Sequence, residues 1–339
     1  MGGGGTHYDR DTTSRAHRTH MGTSQISEAF FEERRSLDRS LLPKGRRFVC
    51  EAKSPVVLAF DVTGSMGNLP KILWDKLPMI VGQIVECGYL ADVKISASAI
   101  GDFMSDRAPI QIADFCEPRD LDSWLKKIWI EGLGGGQSVE SYEVTAYAYA
   151  FLAEFPNAET PFCIITGDEG FRETEYLGGQ FLNKIFGDER ERTNAAAIFQ
   201  HLLDKFKGNV FLVHRHYNVQ NAPLTDEQIV KQWEDTLGKA RVVILPEDLA
   251  IADIILGIFA LMTGKRTLQE YSVDMRQRGQ DEDRIRKVTK ALETILPLVP
   301  DKAKLATVKP PARKPKKARP KKPVEPSADA SADDDSWQW

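Results

Sequence analysis

The sequence predicts an α/β fold of Rossmann-like architecture, in which a mainly parallel sheet carries helices on both faces. Two observations predict it. Between residues 48 and 264, short apolar segments alternate with longer amphipathic ones, at the spacing of strand and helix units. Polar loops lie near the carboxyl ends of these strands, where open α/β sheets bind their ligands.

The elements of this region can be assigned in order. Apolar, β-prone runs bounded by turn residues predict strands at 55–60, 93–100, 109–115, 161–165, 209–213 and 241–245. The alternating segment 109–115 is expected to be an antiparallel edge strand. Apolar residues at helical spacing predict helices at 70–87, 120–129, 138–154, 193–207, 225–237 and 250–263.

Outside this region the composition predicts three further parts. Residues 1–47 are predicted to be a flexible extension that contains an amphipathic helix at 26–40. Residues 265–300 are predicted to be helical, with a break near Gly279. Their apolar repeat predicts a helix that docks on its own domain. Residues 301–339 are rich in Pro, Lys, Ala and Asp and cannot bury a core, so we predict that they are disordered.

Charge is distributed unevenly along the 339 residues. Residues 302–323 contain ten Lys and Arg and no acid, whereas residues 324–339 contain five acids. The rest of the chain therefore carries −9, given the total of −4. The four cysteines form no C-x-x-C pair. The apolar run 249–262 is too short to span a bilayer. These features predict a cytoplasmic location without membrane association.

The first polar loop follows the strand predicted at 55–60. Asp61, Thr63 and Ser65 occur at a spacing of two, with Gly64 between the last two. This spacing allows one loop to direct several oxygen atoms at one point. Mg²⁺ prefers octahedral oxygen coordination at about 2.0–2.1 Å and usually keeps some water ligands. The loop therefore predicts a site for Mg²⁺ or Mn²⁺.

Two further loops complete this arrangement. The second is rich in glycine and continues into Gln137 and Ser138, either of which can present an oxygen. The third follows the strand predicted at 161–165 and contains Asp168. Because parallel strands end at the same edge of a sheet, Asp168 would supply a second carboxylate opposite the first loop.

Other acids near these loops have simpler explanations. We expect Asp102 and Asp106 to be solvent-facing turn residues after the second strand. Glu140 and Glu143 lie at the start of a predicted helix, where the helix dipole favours acids. Glu169 adjoins the aspartate of the third loop and is expected to support it from outside the ligand shell.

The three loops resemble the metal-ion-dependent adhesion site of von Willebrand factor A domains. That family has D-x-S/T-x-S after the first strand, a Thr in a glycine-rich loop and an Asp after a later strand. The resemblance covers residues 50–263, but the loop Thr is absent. Gln137 matches it by register and Ser138 by chemistry. Segments 61–66, 105–109, 136–143 and 167–169 more narrowly resemble stand-alone bacterial and phage members.

The resemblance implies a protein-binding module. Thr63 and Ser65 would bind the cation directly, and Asp61 and Asp168 partly through water. An Asp or Glu of a protein partner would complete the shell. The resemblance also implies an AAA+ ATPase partner. Since no positioned nucleophile or general base is evident, we predict that the protein is not an enzyme.

Two other functions remain open from the sequence. Segment 61–65 also fits the D-x-D/T-G-T/S motif of haloacid-dehalogenase-like phosphoryl-transfer enzymes, with Asp61 as nucleophile. The basic run 309–323 can neutralise nucleic-acid phosphates without reading their sequence. The end of the chain combines acids with aromatic residues and is predicted to be a partner-docking peptide. Its residues are Asp333, Asp334, Asp335, Trp337 and Trp339.

Overall fold

A computed structural model describes residues 37–104, 106–130, 138–173, 180–188 and 193–301. Several predictions fall outside these ranges. They concern most of the helix at 26–40, the loop ligand Gln137, the basic run 309–323 and the docking peptide at 333–339.

The described residues form ten strands. They are β1 (Phe48–Val49), β2 (Ser54–Asp61), β3 (Val93–Ile100), β4 (Ile110–Ile112), β5 (Val139–Glu140), β6 (Ala153–Glu154), β7 (Phe162–Gly167), β8 (Gly170–Phe171), β9 (Val210–His214) and β10 (Val242–Ile244). The central sheet has the order β10-β9-β7-β2-β3-β4. Its pairings are parallel except that of β4 with β3, as predicted for this edge.

Nine α-helices accompany the strands in the described residues. They are α1 (Leu69–Glu86), α2 (Leu121–Leu125), α3 (Tyr142–Tyr147), α4 (Gln180–Phe186), α5 (Ala195–Lys205), α6 (Asp226–Leu237), α7 (Ile251–Met262), α8 (Leu268–Gln277) and α9 (Glu282–Leu292). Local sequence signals determine where several of these helices begin. Thr225 with Gln228, and Thr267 with Glu270, form capping boxes at α6 and α8. No described helix is both long and apolar enough to cross a membrane.

The central sheet separates two apolar cores. Along β2, Val56, Leu58 and Phe60 pack into the core that contains α1, α7 and α9. Val57 and Ala59 pack into the opposite core with α3, α5 and α6. Successive side chains of a strand point to opposite faces, so a strand that is apolar on both faces must be covered by helices on both sides.

The C-terminal helices belong to the same compact unit as the sheet. Four apolar residues predicted to form one helical face are buried in the first core: Ile285, Val288, Leu292 and Ile295. This confirms the prediction that the helix docks on its own domain. Gly279, with a φ of 80°, lies between α8 and α9, where the break was expected.

The helix predicted over 138–154 is wrong at both ends. Residues Val139–Glu140 pair with Gly170–Phe171, and Ala153–Glu154 pair with Phe48–Val49. Between them, α3 continues into a π-helix at Ala148–Leu152. These two-residue pairings satisfy backbone groups over long sequence separations, so the local helical pattern could not reveal them.

The register of the sheet brings the polar loops together. Asp61 pairs with Ile100, Phe60 with Thr166, and Gly167 with His214. The chain segments that follow β2, β3, β7 and β9 therefore leave the sheet at the same edge. This edge carries the candidate site.

Candidate metal-binding site

Four of the predicted ligands lie together in one cluster of polar contacts. The Thr63 hydroxyl donates to Asp61 Oδ1 at 2.5 Å, and the Thr63 N–H donates to the same oxygen at 2.8 Å. The Thr63 Oγ1 and Ser65 Oγ atoms are 3.2 Å apart, and the Ser65 hydroxyl donates to Asp168 Oδ1 at 2.9 Å. The structure thus brings together two carboxylates and two hydroxyls from loops 103 residues apart.

Tyr142 holds the other oxygen of Asp61. Its hydroxyl donates to Asp61 Oδ2 at 2.6 Å, and its ring is fully buried against Trp233. Tyr142 is not among the predicted ligands, although it lies in segment 136–143, which carries part of the resemblance. A more specific signal for it is distant: Gly167, where a side chain would overlap the Tyr142 ring.

Replacing Gly167 with alanine is expected to unfold this part of the site. An added Cβ would lie 1.9 Å from the Tyr142 hydroxyl oxygen and 2.6 Å from its Cζ atom. Since Tyr142 is buried and bonded to Asp61, the free energy of unfolding should fall by about 3 kcal/mol. Chemical denaturation measures this loss. Adding Tyr142→Phe should restore part of it, and an unchanged midpoint in the single variant would contradict the packing.

More acidic groups are buried here than the four predicted ligands supply. Asp61 and Asp168 are 0% and 1% exposed, and Glu140 and Glu169 only 4% and 3%. Burial and the neighbouring Asp61 raise the pKa of Asp168 to about 7 and that of Glu169 to about 8. Burial, Asp61 and Glu169 raise the pKa of Glu140 to about 11. Burial likewise raises the pKa of Asp61.

The simpler explanations for several acids are wrong. Asp102 is buried and accepts a hydrogen bond from Arg172 Nη2 at 2.6 Å, so it is not a solvent-facing turn residue. Glu140 lies in β5 rather than in a helix. Glu143 does lie in the first turn of α3, but it is fully buried and burial raises its pKa to about 8. The helix dipole alone does not account for a carboxyl group at that depth.

Arg215, which the sequence analysis did not identify, contributes positive charge to the site. Its Nη1 atom lies 3.8 Å from Asp168 Oδ2 and donates to the Ser65 carbonyl at 3.1 Å. Its Nε donates to Asp248 Oδ1 at 2.9 Å. The guanidinium is therefore shared between Asp168 and Asp248, and it offsets only part of the buried negative charge.

Ser138, the described alternative for the loop ligand, faces a different set of groups. Its side chain is buried, and its Oγ lies 3.1 Å from the Tyr217 hydroxyl oxygen. The same oxygen accepts a hydrogen bond from the Leu224 N–H at 3.3 Å. Its φ of 60° is rare for a non-glycine residue and marks a sharply turned backbone after the glycine-rich loop. The choice between Ser138 and Gln137 stays a prediction.

The chemistry of these residues fits a divalent cation. Within the described ranges, no three His, Cys, Asp or Glu side chains group closely enough to hold a metal ion. An ion at this point would therefore need the Thr63 and Ser65 hydroxyls and water, which are ligands that Mg²⁺ accepts. The side chains of Glu140 and Glu169 each have an oxygen that is buried without a hydrogen-bond partner. A nearby cation would compensate such groups.

Comparison with known proteins assigns no family. No family model and no curated protein matches the chain. Among solved structures, the pilus adhesin SpaC from Lactobacillus rhamnosus GG has a TM-score of 0.46 and 11% identity over 64% of this chain. Proximal thread matrix protein 1 from the mussel byssus has a TM-score of 0.39 and 9% identity over 62%. The chain spans 32% and 48% of these proteins, respectively.

Proposed function

We propose that the protein is a metal-dependent adaptor of the von Willebrand factor A type. It would bind Mg²⁺ or Mn²⁺ through Asp61, Thr63, Ser65 and Asp168, and through that ion an acidic side chain of a protein partner. The observation that carries this proposal is that these four side chains converge from two loops: Thr63 donates to Asp61, Ser65 donates to Asp168, and the two hydroxyl oxygens lie 3.2 Å apart.

The hydrogen bonds indicate which of the four residues would contact the ion and which would position those residues. The hydroxyl protons of Thr63 and Ser65 are directed toward Asp61 and Asp168, which leaves lone pairs of both hydroxyl oxygens for an ion. The two carboxylates fix the hydroxyls and supply compensating charge. When bound, the cation would supply a positive centre that accepts an oxygen of a partner's carboxylate.

The exposure of the edge supports a protein partner. Asp61 and Asp168 are buried, whereas Ser65 is half-buried and lies beside the exposed Gly64 and Gly67. The site is therefore open on the side of the first loop. Apolar residues on two other loops at this edge, Met104 and Val219, are 67% and 43% exposed and can add contact area.

Phosphoryl transfer by Asp61 is the less favoured function. A nucleophilic carboxylate needs an oxygen that can reach its substrate. Both Asp61 oxygens accept hydrogen bonds within the protein, and the side chain is 0% exposed. An AAA+ ATPase partner and nucleic-acid binding by residues 309–323 are proposals from the resemblance and the sequence, respectively.

The test is a calorimetric titration of Mn²⁺ and Mg²⁺ into metal-free protein, followed by binding of two matched peptides. We expect one ion per chain. With the ion present, an Asp-containing peptide should bind, and its Asn counterpart should not. Chelation should release the Asp peptide. Peptide binding that persists after chelation, or no ion binding to the folded protein, would contradict the proposal.

A further inference from the structure

Glu169 is held in place within the site. Its side chain is only 3% exposed, and its carbonyl accepts a hydrogen bond from Trp233 Nε1 at 3.0 Å. The next residue, Gly170, donates its N–H to the Ser138 carbonyl at 3.0 Å. With the backbone fixed on both sides, the Glu169 carboxyl group is a constant part of the site rather than a mobile surface acid.

The side chain of Glu169 meets the same groups as the predicted ligands. Burial, Asp61 and Asp168 raise the pKa of Glu169, and Ser65 lowers it, so its carboxyl group shares its surroundings with the predicted ligands. Its Oε2 atom is buried without a hydrogen-bond partner among the described residues. The carboxyl group thus adjoins the predicted shell with an oxygen still available.

We propose that Glu169 is a specificity-determining residue of the metal site, which strengthens the hold on the cation and weakens the hold on an acidic partner. This inference rests on the proposed function. It differs from the expectation that Glu169 only supports Asp168. Here Glu169 has opposite effects on the binding of the cation and on the binding of the acidic partner.

The opposite effects follow from charge. Asp61 and Asp168, when ionised, offset the charge of one divalent cation, and Arg215 beside Asp168 would leave the loaded site positive, so that it accepts a carboxylate readily. A bound cation would favour the ionised form of Glu169, which then adds a third negative charge next to Asp168. That charge attracts the cation, and it repels the carboxylate that comes next. The protein would then bind its ion firmly and release an acidic partner easily.

The test is Glu169→Gln, which keeps the size of the side chain and the backbone bond to Trp233. Calorimetry with Mn²⁺ and then with an Asp-containing peptide at saturating Mn²⁺ should show two changes. The Mn²⁺ affinity should fall about tenfold and the peptide affinity should rise about tenfold, since one nearby charge is removed. A general loosening of the site would lower both the Mn²⁺ affinity and the peptide affinity. That result would overturn the inference.

Glu143→Gln is the matched control. Glu143 is also buried, also has an oxygen without a partner, and accepts a hydrogen bond from the Arg172 N–H at 3.2 Å. Burial raises its pKa, and the charges of Arg172 and Asp102 also act on it. Both affinities should stay unchanged in this variant. If wild-type protein binds no Mn²⁺, the proposed function fails together with this inference. Equal Mn²⁺ affinities in wild type and Glu169→Gln overturn this inference alone.

Discussion

Replacing Asp61 with asparagine should abolish ion binding without lowering the melting temperature of the metal-free protein. We expect the affinity for Mn²⁺ to fall more than about 100-fold, because the substitution removes the most deeply buried charge of the site. Calorimetry measures the affinity and a thermal melt in chelator measures stability. This pair of results separates a carboxylate that serves a cation from one that holds the fold together.

The stability of this variant follows from the hydrogen bonds around Asp61. Asparagine keeps an oxygen that can accept from the Thr63 N–H and hydroxyl. Its amide can donate to the Tyr142 oxygen, which replaces the bond in which Tyr142 donates. Burial disfavours the charged form of Asp61 and raises its pKa, and asparagine avoids that cost. A markedly lower melting temperature would show that the charge itself is structural.

Asp226→Asn is a control for which we expect the opposite result: lower stability and unchanged Mn²⁺ affinity. Asp226 accepts hydrogen bonds from the Tyr217 N–H at 2.7 Å and lies 2.8 Å from His214 Nε2. It also lies 2.7 Å from His216 Nδ1, and these partners keep its pKa below the usual range. Asparagine cannot accept at every one of these positions, so stability should fall while Mn²⁺ affinity stays unchanged. Loss of ion binding here would mean that the assay reports folding alone.

The sequence was sufficient for the sheet and for the placement of the first and third loops. The strand predicted at 93–100 coincides with β3, and β2 exceeds its prediction by one residue at each end. Continuous apolar runs bounded by turn residues define such strands locally. Asp61 ends β2, Thr63 and Ser65 come after it, and Asp168 follows β7, so a correct sheet brings these residues to one edge.

What the sequence could not supply depends on contacts between distant residues. Tyr142 reaches Asp61 only because Gly167 leaves room for its ring. The burial of Glu140 and Glu169 also goes against the usual exposure of acids. It follows from the pairing of β5 with β8, which has no periodic signal in two residues per strand. Such features are decided by tertiary packing, so a local pattern cannot predict them.

Without divalent ions, the protein should become less stable as the pH rises from 6.5 to 8.5. The folded state raises the pKa of Asp168 to about 7 and those of Glu169 and Glu143 to about 8. In the unfolded chain these groups have values near 3.8 and 4.5. The folded protein therefore binds more protons than the unfolded chain, and its stability falls with pH until these groups have titrated.

We expect the melting temperature to be lower by about 5 °C at pH 8.5 than at pH 6.5. Near pH 6.5 the buried His214 opposes this fall in stability, because its pKa is lowered in the folded state while the unfolded chain still binds protons there. The lowered pKa of buried Lys76 opposes the fall as well. Comparison with Glu169→Gln isolates the carboxyl contribution, because Lys76 is unchanged there and the pH dependence should become shallower.

Divalent ions should reverse this trend. A cation at the site favours the ionised carboxylates, and its binding releases the protons that the metal-free site retains. Saturating Mn²⁺ should therefore raise the melting temperature more at pH 8.5 than at pH 6.5. If Mn²⁺ stabilised the protein equally at both values, the protons on Asp168 and Glu169 would not be linked to the ion. The buried acids would then serve the fold, and the stabilising Mn²⁺ would bind elsewhere on the protein.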